Sequence, residues 1–153
     1  MKEYLYNPFN IKNKSELEIQ KMYQDTFLKL IEEPTSMYEY ATNIEVYSNL
    51  NYLVGEIIAR LTRDIINIKT NIEINKSIKM VEERKLWQET MKEKPPAMAY
   101  FEALGTRFCQ KDINALADME CSLKRFKNAY NSITEKINAL KKKMESIKFE
   151  EFE

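Results

Sequence analysis

The chain has 153 residues, 44% of them hydrophobic and 31% charged, with 24 Lys and Arg against 24 Asp and Glu. That length holds one domain with a modest core, and the mix fits an ordered, helix-rich protein rather than a disordered one. Zero net charge excludes a strongly acidic DNA mimic and excludes nucleic-acid binding through bulk charge, so any such surface is a local patch.

Residues 1–14, "MKEYLYNPFNIKNK", carry Pro8 and three asparagines and read as irregular. They contain no apolar signal-peptide core, and nowhere do 18 apolar residues run together. No membrane span is expected, and the expected location is the cytoplasm of a bacterial host cell. Abundant Lys, Asn and Ile point to an AT-rich bacterial or phage genome.

Ser15 with Glu18 forms a capping-box pattern, and Ile19, Met22, Tyr23, Phe27, Leu30 and Ile31 follow at helical spacing. A short helix is expected over 15–33, stopped by Pro34. Ser36 with Glu39 repeats the capping box and starts a long helix over 36–93, about 85 Å if straight. Along it, Met37, Ile44, Asn51, Ile58, Ile65 and Ile72 stand seven apart, interleaved with Tyr40, Tyr47, Val54, Leu61 and Ile68. This is a heptad seam. It fails near Asn71–Lys79, where a stutter or a change of packing partner is expected.

Pro95 and Pro96 interrupt the helical pattern. Pro95 restricts the residue before it, and Pro96 suits a first helical position. A second long helix is expected over 96–147. Its later half carries a seam of Leu116, Leu123, Tyr130, Ile137 and Met144, interleaved with Met119, Phe126, Ile133, Leu140 and Ile147. Asp112 interrupts the earlier half. Each long helix therefore has one regular half and one irregular half, the latter adjoining the prolines. Folding back antiparallel matches regular with regular. The expected fold is all-α: one domain over 1–153, a long antiparallel, coiled-coil-like helical hairpin with a short N-terminal helix.

One seam per helix leaves Tyr38, Tyr52, Ile57, Ile66, Ile74, Met80, Trp87 and Met98 in excess, so a homo-oligomer is expected. Self-association is assigned to the seam positions Asn51, Ile58, Ile65, Leu123, Phe126 and Tyr130. Asn51 reads either as a buried polar group that fixes register or as a solvated one in a loose layer.

Signals of catalysis are absent. There is no histidine, no phosphate-cradling glycine motif and no nucleophile elbow, so no enzyme, cofactor or metal is expected. Cys109 and Cys121 make no metal-ligand pair and read as buried thiols. Gly55 and Gly105 lie inside helical runs, where glycine costs about 1 kcal/mol against alanine, and close helix approach is the expected reason.

The basic residues carry more. Between Leu104 and Lys148 ten Lys and Arg face five acids, a local balance of 10 − 5 = +5. A second cluster, Lys76, Lys79, Arg84, Lys85, Trp87 and Lys92, adjoins the prolines. Cations interleaved with an aromatic ring suit single-stranded nucleic acid, the cations tracking phosphates and the ring stacking on a base. The same residues read more readily, on the sequence alone, as a solubilising face with Trp87 in the core.

The segment "YATNIEVYSNLNYLVGEIIARLTRDI" resembles the long helix of the recombination mediators of T4-like phages, the UvsY type. The stretch "AYFEALGTRFCQKDINALADMECSLKRFKNAYNSITEKINALKKKM" is similar to that family's second half, and the resemblance covers roughly residues 40–143. It implies a non-enzymatic, oligomeric phage accessory protein that binds single-stranded DNA. Such a protein assists homologous recombination by loading a recombinase and displacing single-strand binding protein. It places the DNA-contacting residues at Lys76, Lys79, Arg84 and Lys85, and it offers no counterpart to the double proline. The alternative is a helical interaction protein by which a phage inhibits a host defence or replication protein.

Overall fold

The computed structural model describes residues 10–90 and 93–150. All regular structure among them is helical. A 3-10 turn at Ile11–Asn13 precedes α1 (Glu16–Phe27), α2 (Met37–Thr90), α3 (Met98–Phe108) and α4 (Gln110–Glu150). The fold is an all-α helical hairpin. The chain forms two compact units, one joining residues up to Ala59 with those from Arg125 onward, the other spanning Arg60–Lys124.

In the first unit both capping boxes form. Ser15 Oγ accepts from the Glu18 amide while the Glu18 carboxylate accepts from the Ser15 amide at 2.7 Å. Ser36 and Glu39 repeat the exchange, and Glu39 also takes the amide and hydroxyl of Thr35. These bonds hold both glutamates below the usual carboxylate range, led by the backbone amide of Ser15 for Glu18 and of Thr35 for Glu39. Each box satisfies amides that a helix start leaves without partners.

α1 ends at Phe27, six residues short of the expected 33. Thr26 Oγ1 donates back to Met22 O, and the amides of Lys29 and Leu30 turn to Thr26 O and Phe27 O, tightening the last turn. The stop comes from across the fold rather than from Pro34. Asn43 of α2, 4% exposed, accepts from Ile31 N at 2.8 Å and donates to Ile31 O at 2.8 Å. A backbone held in that clamp cannot also make its helical bonds.

α2 buries two stripes in this unit. The seam stripe packs on α4, with Val54 and Ile133 buried and Tyr47, Ile58, Phe126 and Ile137 against them. A second stripe, Val46, Leu50, Leu53 and Ile57, recurs every three or four residues and meets the N-terminal segment. Leu53, Ile19 and Ile11 form a closed cluster there. Ile19, Leu50 and Leu53 are essentially inaccessible, and burying each is worth about 1.5–3 kcal/mol.

α2 and α4 run antiparallel in this unit. Asn51 Nδ2 donates to Thr134 Oγ1 at 2.9 Å, and Gly55, one turn later, sits beside Tyr130, one turn earlier. The second unit has the same sense: Lys69 pairs with Glu120 at 2.9 Å, Cys109 Sγ lies 3.8 Å from Ile72 O, and Trp87 packs edge-on to Tyr100.

In the second unit the helix expected over 96–147 is two. The chain turns at Cys109 (φ −90°, ψ 8°) between α3 and α4. Helical bonding resumes at once, because Cys109 N reaches Gly105 O and Cys109 O receives Ile113 N. Pro96 is not the first helical residue. Ala97, in an extended conformation, caps α3, and the first turn begins at Met98. The expected seam failure is a widening of the shielded face. After Ile72 the half-buried positions are Asn75, Lys76, Lys79, Met80, Glu83 and Trp87, so the shielded face takes in the neighbours of the heptad positions 75 and 79, and Gly105 sits on Lys76 and Met80.

Candidate nucleic-acid interface

At 100° per residue, Lys76, Lys79, Arg84, Lys85 and Trp87 are spread round α2, and they do not form one cationic face. Lys76 and Lys79 turn toward α3. The Lys76 stem lies under Gly105, and Lys79 Nζ stands 5.3 Å over the Phe108 ring. Lys79 is also bound to Glu83 at 2.7 Å, and that hydrogen bond raises its pKa. A cation so engaged has less to offer a phosphate.

Arg84 and Lys85 are exposed, on other sides of the helix. Lys85 leans toward Glu89 at 4.0 Å. Trp87 is half-buried, edge-on to Tyr100 with centroids 6.3 Å apart. Its indole Nε1 is buried and has no partner. It is not an open stacking platform. Lys92 lies outside the described residues. The sequence brings these cations near one another along the chain, and helix geometry separates them.

The basic surface lies on α4 instead. From Arg125 to Glu150 there are seven cations, Arg125, Lys127, Lys136, Lys141, Lys142, Lys143 and Lys148, against Glu135, Glu145 and Glu150. The balance is 7 − 3 = +4. All seven cations are exposed, and none is in an ion pair among the described residues. The seam explains why. Phe126, Ile133, Ile137 and Leu140 fix one side of α4 against α2, so the polar positions between them face water.

Arg125, Lys136 and Lys143 fall on one flank of α4. Lys136 Nζ stands 5.5 Å over the Tyr47 ring. Lys136 and Lys143 line a groove of about 420 Å³ with Tyr40 and Tyr47, whose other wall carries Glu32 and Glu33. Those carboxylates repel a phosphate inside the groove. Lys141, Lys142 and Lys143 are consecutive in α4, so at 100° per residue they fan over about 200° of its exposed surface, with Lys143 at the groove edge. Sequence reasoning counted these lysines without selecting them. The available signal was their position opposite the cleanest seam in the chain.

The residues assigned to self-association are mostly engaged within the chain. Asn51 is buried and bonded to Thr134, Ile65 is buried, and Ile58 and Phe126 pack on the core of their unit. Leu123 is half-buried and Tyr130 is 40% exposed. Asn51 Oδ1 is buried and has no hydrogen-bond partner among the described residues, so the solvated alternative for this side chain does not hold.

Cys109 is buried as expected, whereas Cys121 is exposed. It stands between seam positions Met119 and Leu123, on the opposite side of α4. Gly105 is a site of close approach, and Gly55 is not: a Cβ there would meet Tyr130 at an ordinary 3.7 Å. Among the described residues no three His, Cys, Asp or Glu side chains gather to hold a metal ion, and no helix is long and apolar enough to cross a membrane.

The fold defines the class: an all-α helical-hairpin protein whose last helix carries an excess of exposed cations round its solvent side. Compared with protein-family models, curated proteins and solved structures, the chain matches none.

Proposed function

We propose that this protein is a non-enzymatic helical accessory protein of a phage. It binds single-stranded DNA along the outer arc of α4 and assists homologous recombination by helping to load a recombinase. The observation that carries the binding is the run of seven exposed cations from Arg125 to Lys148, none of them in an ion pair among the described residues. Cations that neutralise phosphates release the condensed counterions of the nucleic acid, which is the main source of sequence-independent affinity. The recombination role, with a recombinase or single-strand binding protein as partner, rests on the resemblance over residues 40–143. This reading puts the DNA contacts on α4 rather than at the α2 residues that the resemblance implies.

The test is fluorescence anisotropy with labelled single- and double-stranded oligonucleotides at about 50 and about 200 mM salt. Single-stranded binding should fall steeply with salt. Replacing Lys141, Lys142 and Lys143 together by Glu should abolish most of it. Neutralising the three should lower the salt slope by about 2, three contacts at roughly 0.7 each. Replacing Lys79, Arg84 and Lys85 should have a smaller effect. A wild type that binds no oligonucleotide at the lower salt would falsify the reading. A second reading, a helical inhibitor of a host protein, is favoured by exposed Ile74, Ile78 and Val81 on α2. Its test is co-purification from nuclease-treated host lysate.

A further inference from the structure

The second unit leaves an apolar stripe uncovered. Ile74, Ile78 and Val81 follow one another by four and three residues on α2 and are 51%, 50% and 67% exposed. They point away from α3, because the inward positions of the same turns are Lys76 and Met80, against Gly105, and Trp87, against Tyr100. Single exposed apolar residues are ordinary on a surface, whereas three in a helical row form a docking stripe. The unit needs the cover. Among its described residues Arg60–Lys124, only Ile65, Phe101, Gly105 and Cys109 are buried, a thin core for that length of chain.

The charges beside the stripe identify what covers it. Glu73 and Arg84 are both exposed, neither has an ion-pair partner among the described residues, and they fall on the same flank of the stripe. They lie nearly equidistant from Ile78, Glu73 five residues before it and Arg84 six after. In an antiparallel pair of identical helices related by a two-fold axis, each flank meets itself with the chain direction reversed. An axis through Ile78 therefore sets Ile78 on its copy, Val81 against the copy's Ile74, and Arg84 against the copy's Glu73. The arrangement closes two ion pairs of opposite sign at once. A zero net charge leaves no long-range repulsion between copies.

We propose that the stripe Ile74–Ile78–Val81 is a self-association surface, on which a second copy of this chain docks antiparallel with Arg84 and Glu73 paired across the two-fold axis. The stripe shares no residue with the α4 cations, and the inference stands whether or not the chain binds DNA.

The test is mass measurement by sedimentation across a range of protein concentrations, without nucleic acid, on wild type and four variants. Wild type should reach at least twice the 18.2 kDa of one chain. Ile78→Asp should halve the mass of the wild-type assembly while circular dichroism shows the same helix content. Glu73→Arg and Arg84→Glu should each weaken association roughly tenfold, through two lost pairs and two repulsive ones. The double exchange should restore it. That rescue distinguishes pairing from a fold defect, because a misfolded single variant is not repaired by a second surface charge. A wild type that remains at 18.2 kDa, an assembly that Ile78→Asp leaves intact, or a double exchange no better than the singles overturns the proposal.

Discussion

Gly105 of α3 lies so close to Lys76 of α2 that a Cβ on the glycine would stand 2.9 Å from the Lys76 carbonyl oxygen. The obstacle is backbone, and Lys76 Cγ at 2.9 Å and Met80 Cγ at 3.1 Å crowd the same space. Gly105→Ala must therefore push α3 off α2. Overpacking of this kind costs roughly 1–3 kcal/mol, against a helix-propensity gain of about 1 kcal/mol, so a net loss is expected. Gly55 is the internal control. Its nearest neighbour is Tyr130 Cε2 at 3.7 Å, and its φ is not positive, so Gly55→Ala should stabilise by up to about 1 kcal/mol. Urea denaturation of both variants checks the opposite signs.

The Asn43 clamp gives a prediction of a different kind. Its amide satisfies both the N–H and the C=O of Ile31, which have no other hydrogen-bond partner among the described residues. Asn43→Ala leaves two partly buried backbone groups without partners, at about 1–3 kcal/mol each. A loss of roughly 2–4 kcal/mol is expected. Hydrogen exchange should show the segment around Ile31 opening first, since the clamp is what ends α1 in place. An Asn43→Ala protein as stable as wild type would show that water or another side chain takes over both bonds.

These positions mark where the sequence was legible. All eleven seam residues from Met37 to Ile72 are shielded from solvent, as are nine of the ten from Leu116 to Ile147, Tyr130 being the exception. A seven-residue repeat is set by helix periodicity and burial, and both are written locally. Both capping boxes were equally local. The end of α1 was not, because it depends on Asn43, twelve residues further along the chain. The stripe of Val46, Leu50, Leu53 and Ile57 was visible but masked by the stronger seam on the same helix. The α2 cations read as one cluster along the chain, but residues 76, 79, 84 and 85 point to different sides of α2. Only packing says which side is free. The turn at Cys109 has no proline or glycine of its own to announce it.

The capping glutamates set an acid limit. In the folded chain Glu18 and Glu39 sit below the ordinary carboxylate range because backbone amides hold their charged forms. A folded pKa below the unfolded value contributes stability above about pH 4.3, and that contribution is lost as pH falls through the folded value. Replacing both by Gln should lower the melting temperature at neutral pH. The gap to wild type should narrow steadily below about pH 4. Lys79 has the opposite sign. Its raised pKa contributes below the ordinary lysine value, and the contribution is lost as pH rises through the folded one. A gap that stays constant through the acid range would show that the two carboxylates keep the same pKa on unfolding.

Asn51 tests whether the buried amide serves stability or specificity. One arm of it is satisfied by Thr134, while Oδ1 is buried without a donor, a state that costs about 1–3 kcal/mol. Asn51→Leu removes that burden and adds apolar surface beside Leu50 and Val54, both nearly inaccessible. Thr134 keeps its bond to Tyr130 O and is exposed, so its hydroxyl loses little. The variant should be more stable by about 1–2 kcal/mol. The remaining question is register. A polar layer at a seam position penalises pairings that leave it without a partner, and a leucine there accepts several. If Asn51 fixes the pairing with Thr134, the Leu variant should gain stability yet show broadened or doubled amide signals for residues 47–55 and 130–137. If the hydrophobic layers on either side already fix it, the spectrum should remain single. Gain in stability with a single spectrum assigns register to the apolar seam, and gain with doubling assigns it to the Asn51–Thr134 bond.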